Sequence, residues 1–364
     1  MRRRIGVLSS LACVSVVAAC ATTARSSAGR PSHVDITWMS VTNMYYELGP
    51  LHVVTDGYIT RIPRSAFSGG TTGLAHSIAQ KPDENAVARV LGALGGSRSV
   101  DVLLTGHSHF DHSFDTGTWS RLTGARVIGS RTTCLQVEAE GLPRERCTPV
   151  VGGERIPLSD GVAMYVVRWN HSGDPAVNPE QHNPVELSAV PTRDPLTGGL
   201  RPGLADDFPN GGGTRAYLFV VDGADGPFSW FYQNSASPVD LAVPIVVDGV
   251  NYGAPIENLR RAMHDAGLTS VDLWIGAGGV AIAKLVLPIL KPKAHLPVHW
   301  DSFWTPFSAG VGRAHADAPL EELLATAHVT LVRPVQYMDK WRLDRAGVRA
   351  VENARVKVQL GFAP

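Results

Sequence analysis

The chain has 364 residues, 44% of them apolar, and equal numbers of basic and acidic residues, 33 of each. This apolar fraction supplies a sizeable core, and a formal net charge of zero gives no indication of a protein that binds nucleic acid or another polyanion. The 37 Gly and 25 Pro residues are dispersed along the chain, which is typical of a loop-rich enzyme and not of a low-complexity sequence.

The N-terminus has the pattern of an export signal. Arg2, Arg3 and Arg4 precede the apolar run Ile5 to Ala19, which is too short to span a bilayer comfortably. The segment ends in Val-Ala-Ala-Cys at residues 17–20, which resembles a bacterial lipobox. The resemblance implies a signal peptide over residues 1–19, lipidation of Cys20, a flexible tether over 20–32, and anchoring in a membrane that faces the periplasm or the cell exterior. The alternative is ordinary secretion with cleavage after residues 19–21.

Export also bears on the cysteines. Cys13 leaves with the signal and Cys20 carries lipid, so Cys134 and Cys147 remain as thiols. In an oxidising compartment we predict that they form a disulfide, which would stabilise the fold by about 3 kcal/mol in the chain-entropy model. The alternative is a pair of separate buried thiols.

The first half of the mature chain predicts strands followed by a helix. Turn residues separate three strand-like segments: Val34 to Met39, Leu51 to Asp56 and Tyr58 to Ile62. Residues 43–46 are assigned to the first connection, and the Gly, Ser and Thr-rich segment Ser65 to Gln80 to a surface insertion. Asp83 then caps a helix that ends at Gly95-Gly96.

Further along the chain, strands and helices alternate, which predicts an α/β layer structure. The predicted strands and helices of this part are, in order, Val100 to Leu104, Thr118 to Leu122, Ala125 to Ile128, Arg131 to Glu140, Gly161 to Trp169, Thr214 to Asp222, Phe228 to Gln233, Pro255 to Gly267, Val271 to Ile275, Ile282 to Leu290, Ala294 to Trp300, Asp317 to Ala327 and Val329 to Val332. The irregular segment 175–213 interrupts this order, and we interpret it as an insertion that walls an active site because it leaves directly from His171. Residues 33–364 are expected to form one domain.

The densest cluster of metal-competent side chains follows the strand that ends at Leu104. It is Thr-Gly-His-Ser-His-Phe-Asp-His at residues 105–112, with three imidazoles and one carboxylate in six positions. His107 and His109 can share one face of extended chain, whereas Asp111 and His112 follow a bend and can reach a neighbouring position. The spacing therefore predicts a paired metal site, and the alternative is a histidine-rich surface loop that binds metal adventitiously.

Two further histidines stand where a strand gives way to a loop. His171 follows the strand that ends at Trp169, and His299 lies near the end of the strand from Ala294. His295 is the competing candidate on that strand, and we assign it a structural role because it lies farther from the strand end.

The His-Ser-His-Phe-Asp-His segment resembles the HxHxDH motif of the metallo-β-lactamase superfamily, and Leu-Pro-Val-His-Trp at 296–300 is similar to the segment that supplies the last ligand in its phosphodiesterase and lactonase-like branches. The resemblance implies an α/β fold, a four-layer αβ/βα sandwich with the metals at one edge of its sheets. It also implies that His107, His109 and His171 hold the first metal, and that Asp111, His112 and His299 hold the second.

One position departs from the family pattern. The family places a bridging aspartate after the strand that here ends in Gln233, and Asn234 occupies that place. The second ion is then expected to bind more weakly, or the site works with one ion. In the alternative alignment, Asp222, Asp225 or Asp240 fills the role.

The predicted function is that of a metal-dependent hydrolase in which a metal-activated water attacks an ester, a lactone or a phosphodiester. His107, His109 and Asp111 are the predicted catalytic residues, and Asp111 helps to orient the nucleophile. Zinc is the expected metal, although imidazole and carboxylate ligands also accept iron or manganese. The other hypotheses are a β-lactam hydrolase and a non-catalytic binding lipoprotein that kept the fold.

Further expectations concern residues around the metals. Asp174 and Asp301 could orient the ligand imidazoles of His171 and His299, or be ordinary loop aspartates. His76 and His182 lie in the two insertions and could reach a substrate. The aromatic residues Phe110, Trp169, Trp300, Phe303, Trp304 and Phe307 suggest a small-molecule substrate with an apolar part.

Overall fold

The structure is a computed structural model, and it describes residues 29–363. The predicted signal peptide and lipid-attachment residue Cys20 lie outside the described residues. None of the helices in residues 29–363 is long and apolar enough to cross a membrane.

The strands of this part of the chain are, in order, β1 His33–Ser40, β2 Asn43–Leu48, β3 Leu51–Thr55, β4 Phe67–Ser68, β5 His76–Ser77, β6 Val102–Leu104, β7 Arg126–Gly129, β8 Cys147–Pro149, β9 Arg155–Ser159, β10 Val162–Trp169, β11 Thr214–Val221, β12 Phe228–Gln233, β13 Val246–Val247, β14 Val250–Asn251, β15 Leu273–Ala277, β16 Ala294–Val298, β17 Thr330–Leu331, β18 Asp339–Asp344 and β19 Gly347–Val351. The α-helices are α1 Glu84–Leu94, α2 Phe110–Ser113, α3 Thr116–Thr123, α4 Arg131–Ala139, α5 Pro179–His182, α6 Pro255–Asp265, α7 Val280–Leu290, α8 Ala318–Thr326 and α9 Ala354–Leu360.

Most strands belong to two mixed sheets. The order in the first is β19-β18-β1-β2-β3-β6-β7-β8, and in the second it is β17-β16-β15-β12-β11-β10-β9. Strands β3, β6, β7 and β8 are parallel neighbours in the first sheet, as are β12, β15, β16 and β17 in the second. The carboxyl ends of each parallel set therefore lie at one edge of their sheet, where ligand sites of α/β sheets usually form.

The main apolar core lies where the two sheets face each other. The ring of Tyr46 on β2 packs at 5.6 Å from the ring of Phe219 on β11 and at 5.5 Å from that of Trp230 on β12. A second cluster packs the other face of the second sheet against helices, with Leu259 of α6 and Val286 of α7 fully buried. Helix α1, on the side of the first sheet, buries its apolar stripe, including Val87 and Val90. The layers are thus helix, sheet, sheet and helix, which confirms the predicted four-layer α/β sandwich.

Two predictions near the N-terminus were wrong. Residues 43–46, assigned to a connection, belong to β2, which pairs with both β1 and β3. The turn before β2 is made by Val41 at a φ of 48°, so neither Gly nor Pro marked it. Residues 58–62, predicted as a strand, form none, because the N–H groups of Ile59 and Thr60 donate to the carboxylate of Asp115 at 2.6 and 2.7 Å instead of to a neighbouring strand.

The two insertions, residues 65–80 and 175–213, are joined to each other by hydrogen bonds. Glu180 of α5 accepts a hydrogen bond from the N–H of Thr72 at 2.9 Å, and Asp206 accepts one from the N–H of Ser77 at 2.7 Å. The N–H of Leu204 also donates to Leu74 O at 3.0 Å. The segment 65–80 is therefore only partly on the surface. We call the two segments together the roof.

The structure joins Sγ of Cys134 and Cys147 in a disulfide, which ties the middle of α4 to the first residue of β8. The oxidised state of these cysteines in the exported protein stays a prediction.

Candidate metal centre

Three strand ends deliver the candidate ligands to one place. The motif at 105–112 follows β6, His171 lies two residues beyond β10, and His299 comes directly after β16. Strand β10 runs in the same direction as β12, because both are antiparallel to β11, and β12 is connected to β16 through the parallel β15. His171 and His299 therefore share one edge of the second sheet.

The motif itself changes direction after His109. The backbone of His109 is extended, and the short helix α2 begins at Phe110. This helical turn carries Asp111 and His112, so that their side chains point to a different place from those of the first two histidines. The predicted division of the motif into two sets has this structural basis.

The side chains form two groups in which all candidate ligand atoms lie within 4.8 Å of one another. The first group is His107, His109 and His171, and the second is Asp111, His112 and His299. In the first, His107 Nε2 lies 3.1 Å from His109 Nδ1. In the second, Asp111 Oδ2 lies 3.4 Å from both His112 Nε2 and His299 Nε2. The structure thus brings together the six residues that the sequence had nominated, and their metal-binding role stays a prediction.

Hydrogen bonds at the far side of three imidazole rings fix which nitrogen is left for a metal. His107 Nδ1 faces Asn234 Oδ1 at 3.2 Å, His171 Nδ1 faces Ser172 O at 2.8 Å, and His112 Nδ1 faces Asp56 Oδ2 at 2.9 Å. Each of these oxygens accepts a hydrogen bond, so each Nδ1 carries the proton. In the neutral form of each ring the Nε2 lone pair is then directed into its group, which is the tautomer that a metal ion requires.

The pKa values of the first group suit the same chemistry. Burial, with neighbouring imidazoles adding to it, holds the pKa of His107 and His171 well below the usual range. Burial also lowers the pKa of His109 to about 3. Neutral imidazole is the form that binds metal, so this group is ready to bind at neutral pH without releasing protons.

The second group contains an ionised carboxylate. Burial by itself would raise the pKa of Asp111, but the imidazoles of His112 and His299 lower it overall. Burial by itself would lower the pKa of His112, but the carboxylates of Asp111 and Asp56 raise it. The pocket therefore favours a positive charge beside Asp111, which a bound cation would also provide.

Asp56 is a component of the centre that the sequence interpretation missed. It follows β3 directly, has a φ of 58° and is 1% exposed. Its Oδ1 accepts from Gly106 N at 2.9 Å, while its Oδ2 contacts His112 as described above. In the sequence, Asp56-Gly57 is only a turn signal between two strand-like segments. The signal that could have revealed its role is its position at the end of a strand parallel to β6, at the same edge as the motif.

His299 is held in an unusual backbone conformation. Its φ is 63°, and its N–H donates to Val41 O at 3.0 Å. Non-glycine residues adopt this region at a cost that surrounding structure must offset, and such residues concentrate at functional sites. By contrast, His295 is fully buried with Nδ1 3.1 Å from Trp274 O, outside both groups, in keeping with its predicted structural role.

Other nominated residues lie elsewhere. Asp174 accepts from Ala176 N, and Asp301 accepts from Val41 N and the Tyr337 hydroxyl, so neither contacts a ligand imidazole through its carboxylate in the manner suggested. The remaining three aspartates, considered as replacements for the bridging residue, are outside both groups: Asp222 pairs with Arg30, Asp240 accepts from Asn170, and Asp225 lies beside Arg345.

The two histidines of the roof differ. His182 of α5 lies against the first group, with its ring 5.4 Å from that of His171 and almost perpendicular to it. His76 is exposed and pairs with Asp206 at 3.0 Å. Of the two, only His182 is placed where a bound substrate could meet it.

The donor set of each group fits a metal ion. In the first group, nitrogen atoms 3.1 Å apart face one another inside the protein, and the proton of His107 is engaged on the opposite edge of its ring. With the proton of His109 on its Nε2, both facing nitrogens offer a lone pair, an arrangement that a cation between them would stabilise. Imidazole nitrogen with a single carboxylate oxygen, as in the second group, is also a ligand set of zinc, iron and manganese.

Two mixed sheets between helical layers, with a histidine and aspartate cluster at one edge, define an α/β sandwich of the metallo-β-lactamase type. No family model matches the chain. A segment of 72 residues, 20% of the chain, is 35% identical to a UPF0173 metal-dependent hydrolase of Pyrobaculum islandicum and covers 32% of that protein. A segment of 77 residues, 21% of the chain, is 34% identical to the corresponding protein of Pyrobaculum neutrophilum and covers 34% of it. The chain thus matches about a third of the length of these curated relatives.

Solved structures are similar over more of the chain. Igni18, a metallo hydrolase from the archaeon Ignicoccus hospitalis, has a TM-score of 0.49 and 11% identity, covering 85% of this chain and 98% of its own. The metallo-β-lactamase fold protein YhfI from Bacillus subtilis has a TM-score of 0.45 and 10% identity, with coverages of 85% and 99%.

Proposed function

We propose that the protein is a metal-dependent hydrolase that acts on an ester, a lactone or a phosphodiester. The observation that carries the proposal is the pair of ligand groups at one sheet edge, with three imidazoles oriented by the hydrogen bonds that their Nδ1–H groups donate. The curated relatives, which are named metal-dependent hydrolases, support it over the segment that they share with this chain.

In the proposed reaction, His107, His109 and His171 would hold one ion, and Asp111, His112 and His299 the other. Bound zinc would supply an acidified water and a Lewis acid for the substrate oxygen. Asp111 lies between two imidazoles and retains its ionised form, so its carboxylate can accept a hydrogen bond from the attacking water and orient it. Asp56 and Ser172 keep their imidazole partners in the required tautomer.

An aromatic wall next to the second group favours a substrate with an apolar part. Phe303 lies 5.9 Å from the ring of His299, and Trp304 lies 5.5 Å from Phe67 and 5.7 Å from Phe110. Phe303 and Trp304 are only partly buried, so part of their apolar surface remains open to a ligand.

Two aromatic residues of the earlier set, Trp169 and Phe307, do not contribute to this wall. Trp169 was wrongly included in the expectation, because it is fully buried against Phe231 in the core between the second sheet and its helices. Phe307 is also buried, in contact with Tyr337. The open surface of the proposed wall therefore consists of Phe303 and Trp304, and the buried rings of Phe67 and Phe110 pack behind Trp304.

The test is hydrolysis of a chromogenic panel that contains a phosphodiester, esters of increasing acyl length, a lactone and a β-lactam. We expect activity on at least one of the first three, loss of that activity on chelation, and restoration by zinc or another divalent ion. His109→Ala should lower kcat/KM by about a hundredfold or more, because the loss of a ligand would weaken binding of the metal ion that activates the water.

His264→Ala is the matched control, since His264 is an exposed imidazole on α6 next to Asp265. Activity that resists both chelation and His109→Ala would contradict the proposal. Inactivity of a metal-loaded protein on the whole panel would favour a binding protein that retained the fold, and hydrolysis of the β-lactam alone would favour a β-lactamase.

A further inference from the structure

Asn234 lies behind the ligand groups and not between them. Its side chain is fully buried directly after β12, with Oδ1 at 3.2 Å from His107 Nδ1. The nitrogen of His107 that faces His109 is Nε2, on the opposite edge of the ring. A bridging metal ligand would have to approach from the Nε2 edge. Asn234 therefore contacts the edge of the ring that the metal does not use.

The other end of the same amide reaches Asp56. Asn234 Nδ2 donates to Asp56 Oδ2 at 2.9 Å, and that oxygen also lies 2.9 Å from His112 Nδ1. Hydroxyl groups of Thr42 and Tyr232 donate to it at 2.6 and 2.7 Å. A continuous chain of hydrogen bonds thus runs from His107 through Asn234 and Asp56 to His112. It starts at a ligand of the first group and ends at a ligand of the second.

We propose that Asn234 is a positioning residue that couples the two metal positions, so that an ion held at one favours the binding of an ion at the other. The inference rests on the metal centre of the proposed function but not on any substrate. Binding at the first position fixes the ring of His107, which orients the amide of Asn234. The amide in turn holds Asp56 in the position where it accepts from His112.

The chain of hydrogen bonds from His107 to His112 requires an amide at position 234. Asn234 must accept a hydrogen bond from His107 and donate one to Asp56, and a carboxylate has no proton to donate at neutral pH. An aspartate here would put two carboxylates in direct contact inside the protein, where like charges are strongly unfavourable. Asn234→Asp, which introduces the aspartate of the family pattern, is therefore expected to weaken metal binding at both positions.

The surroundings also keep Asn234 from turning toward the ligand nitrogens. An ideal Cβ on Gly106 would lie 2.6 Å from Asn234 Oδ1 and still closer to its amide nitrogen. The side chain is thus packed directly against the backbone that leads into the motif, and the two amide ends are both engaged.

The experiment is zinc and cobalt binding to chelator-stripped protein, measured by competition with a chromophoric chelator, for the wild type, Asn234→Asp and Asn234→Ser. For the wild type we expect two ions that bind with positive cooperativity. For Asn234→Asp we expect about tenfold to hundredfold weaker binding at both positions, loss of the cooperativity and altered cobalt absorption bands. Asn251→Asp, an exposed asparagine on β14, is the matched control, and circular dichroism confirms that each variant folds.

A double variant separates positioning from general damage. In Asp56→Asn/Asn234→Asp the amide and the carboxylate exchange places, so the carboxylate introduced at position 234 can accept from both His107 and the amide introduced at position 56. The metal affinity of the three-histidine position should be higher in this double variant than in Asn234→Asp. A variant that only destabilised the fold would show no such recovery.

Three outcomes would overturn the inference: Asn234→Asp binds the second ion more tightly, all affinities stay unchanged, or the wild type binds its ions independently. The first would return Asn234 to the bridging position. A wild type that binds two coupled ions but hydrolyses nothing would overturn the proposed function alone, whereas a wild type that binds no ion would overturn both.

Discussion

Gly106 makes room for the side chain that connects the two ligand groups. It lies between β6 and the first motif histidine, and its carbonyl oxygen accepts from Arg215 N at 2.6 Å. Its N–H donates to Asp56, so the backbone is held from both directions. A side chain at this position would overlap the amide of Asn234, as the ideal Cβ position shows.

Gly106→Ala should therefore lower the free energy of unfolding by about 1–3 kcal/mol, the usual cost of overpacking a buried position. Urea unfolding of the metal-free protein measures it. Gly92→Ala is the matched control: Gly92 lies in α1 with open space around its ideal Cβ, so this change should raise stability by about 0.5–1 kcal/mol. Equal stability of Gly106→Ala and the wild type would show that Asn234 is not tightly held.

The sequence identified the site residues that have a metal-binding side chain and also lie at the end of a predicted strand. His107, His109, His171 and His299 each combine an imidazole with the end of a predicted strand, and the structure gathers all of them. Asp56 was missed because Asp-Gly is also an ordinary turn signal. The contacts of Asn234 were not predictable either, since its partners come from the ends of different strands whose adjacency depends on the order of strands in the sheets.

At the scale of secondary structure elements, the junction of α3 and α4 contains a carboxyl group in an unusual place. Glu140, at the end of α4, packs its carboxyl over Gly117 of α3, where an ideal Cβ would lie 2.8 Å from Glu140 Oε1. Its Oε2 accepts a hydrogen bond from Thr118 at 3.4 Å. Burial, together with the nearby Asp115, raises the pKa of Glu140 to about 8.

This shift predicts that stability falls as pH rises toward 8. The folded protein keeps a proton on Glu140 up to a pKa of about 8, whereas the unfolded chain releases it near 4.5. Between these values the unfolded state binds fewer protons, so the free energy of unfolding decreases with pH and levels off above 8. Burial likewise raises the pKa of Asp115 to about 6, below the range from pH 6.5 to 8. His112, whose pKa is also raised, contributes in the same direction in the wild type and in a Glu140 variant, so the difference between the two proteins reports on Glu140.

Glu140→Gln should flatten that part of the profile and be more stable than the wild type at pH 9. Urea unfolding at half-unit pH intervals measures the slope, and Glu145→Gln, an exposed carboxylate nearby, is the control. A slope from pH 6.5 to 8 that is as steep in Glu140→Gln as in the wild type would contradict this assignment.

Most elements were predictable because their apolar periodicity matched their final burial. Strand β12 was predicted with its observed limits, and α1 has the predicted cap, Asp83, whose side chain accepts from Ala86 N. The errors lie where tertiary contacts decide. The conformation of segment 58–62 is set by its hydrogen bonds to the carboxylate of Asp115. The C-terminal hairpin β18–β19, in which β18 also pairs with β1, was not predicted.

At the scale of the whole molecule, the layers were predictable but the order of strands was not. Alternating strands and helices predict sheets covered by helices, whereas the pairing of β1 with β18 joins segments about 300 residues apart. The family resemblance supplied the four-layer arrangement, which periodicity alone does not specify. The mutual contacts of the roof insertions are a further feature that no local pattern predicts.

The direction of the strands places the N-terminus away from the metal centre. Strand β1 runs in the same direction as β3, since both are antiparallel to β2, and Asp56 at the carboxyl end of β3 belongs to the metal edge. The start of β1 therefore lies at the opposite edge, where Arg30 pairs with Asp222 after β11. The predicted tether would therefore join the fold at the edge opposite the metal centre.

We propose that the mature protein begins at Cys20 and carries a diacylglyceryl group and one disulfide. Mass spectrometry of the protein purified from membranes should show the lipid on the first residue. For the disulfide, Cys134 and Cys147 of the denatured, unreduced protein should not react with a thiol reagent. Cys20→Ala should shift the protein from the membrane to the soluble fraction, because a thiol is required for lipid attachment, whereas Cys13→Ala, inside the predicted signal, should leave it anchored. An unlipidated mature protein that begins after residue 21 would instead establish ordinary secretion, and two reactive thiols in the denatured, unreduced protein would exclude the disulfide.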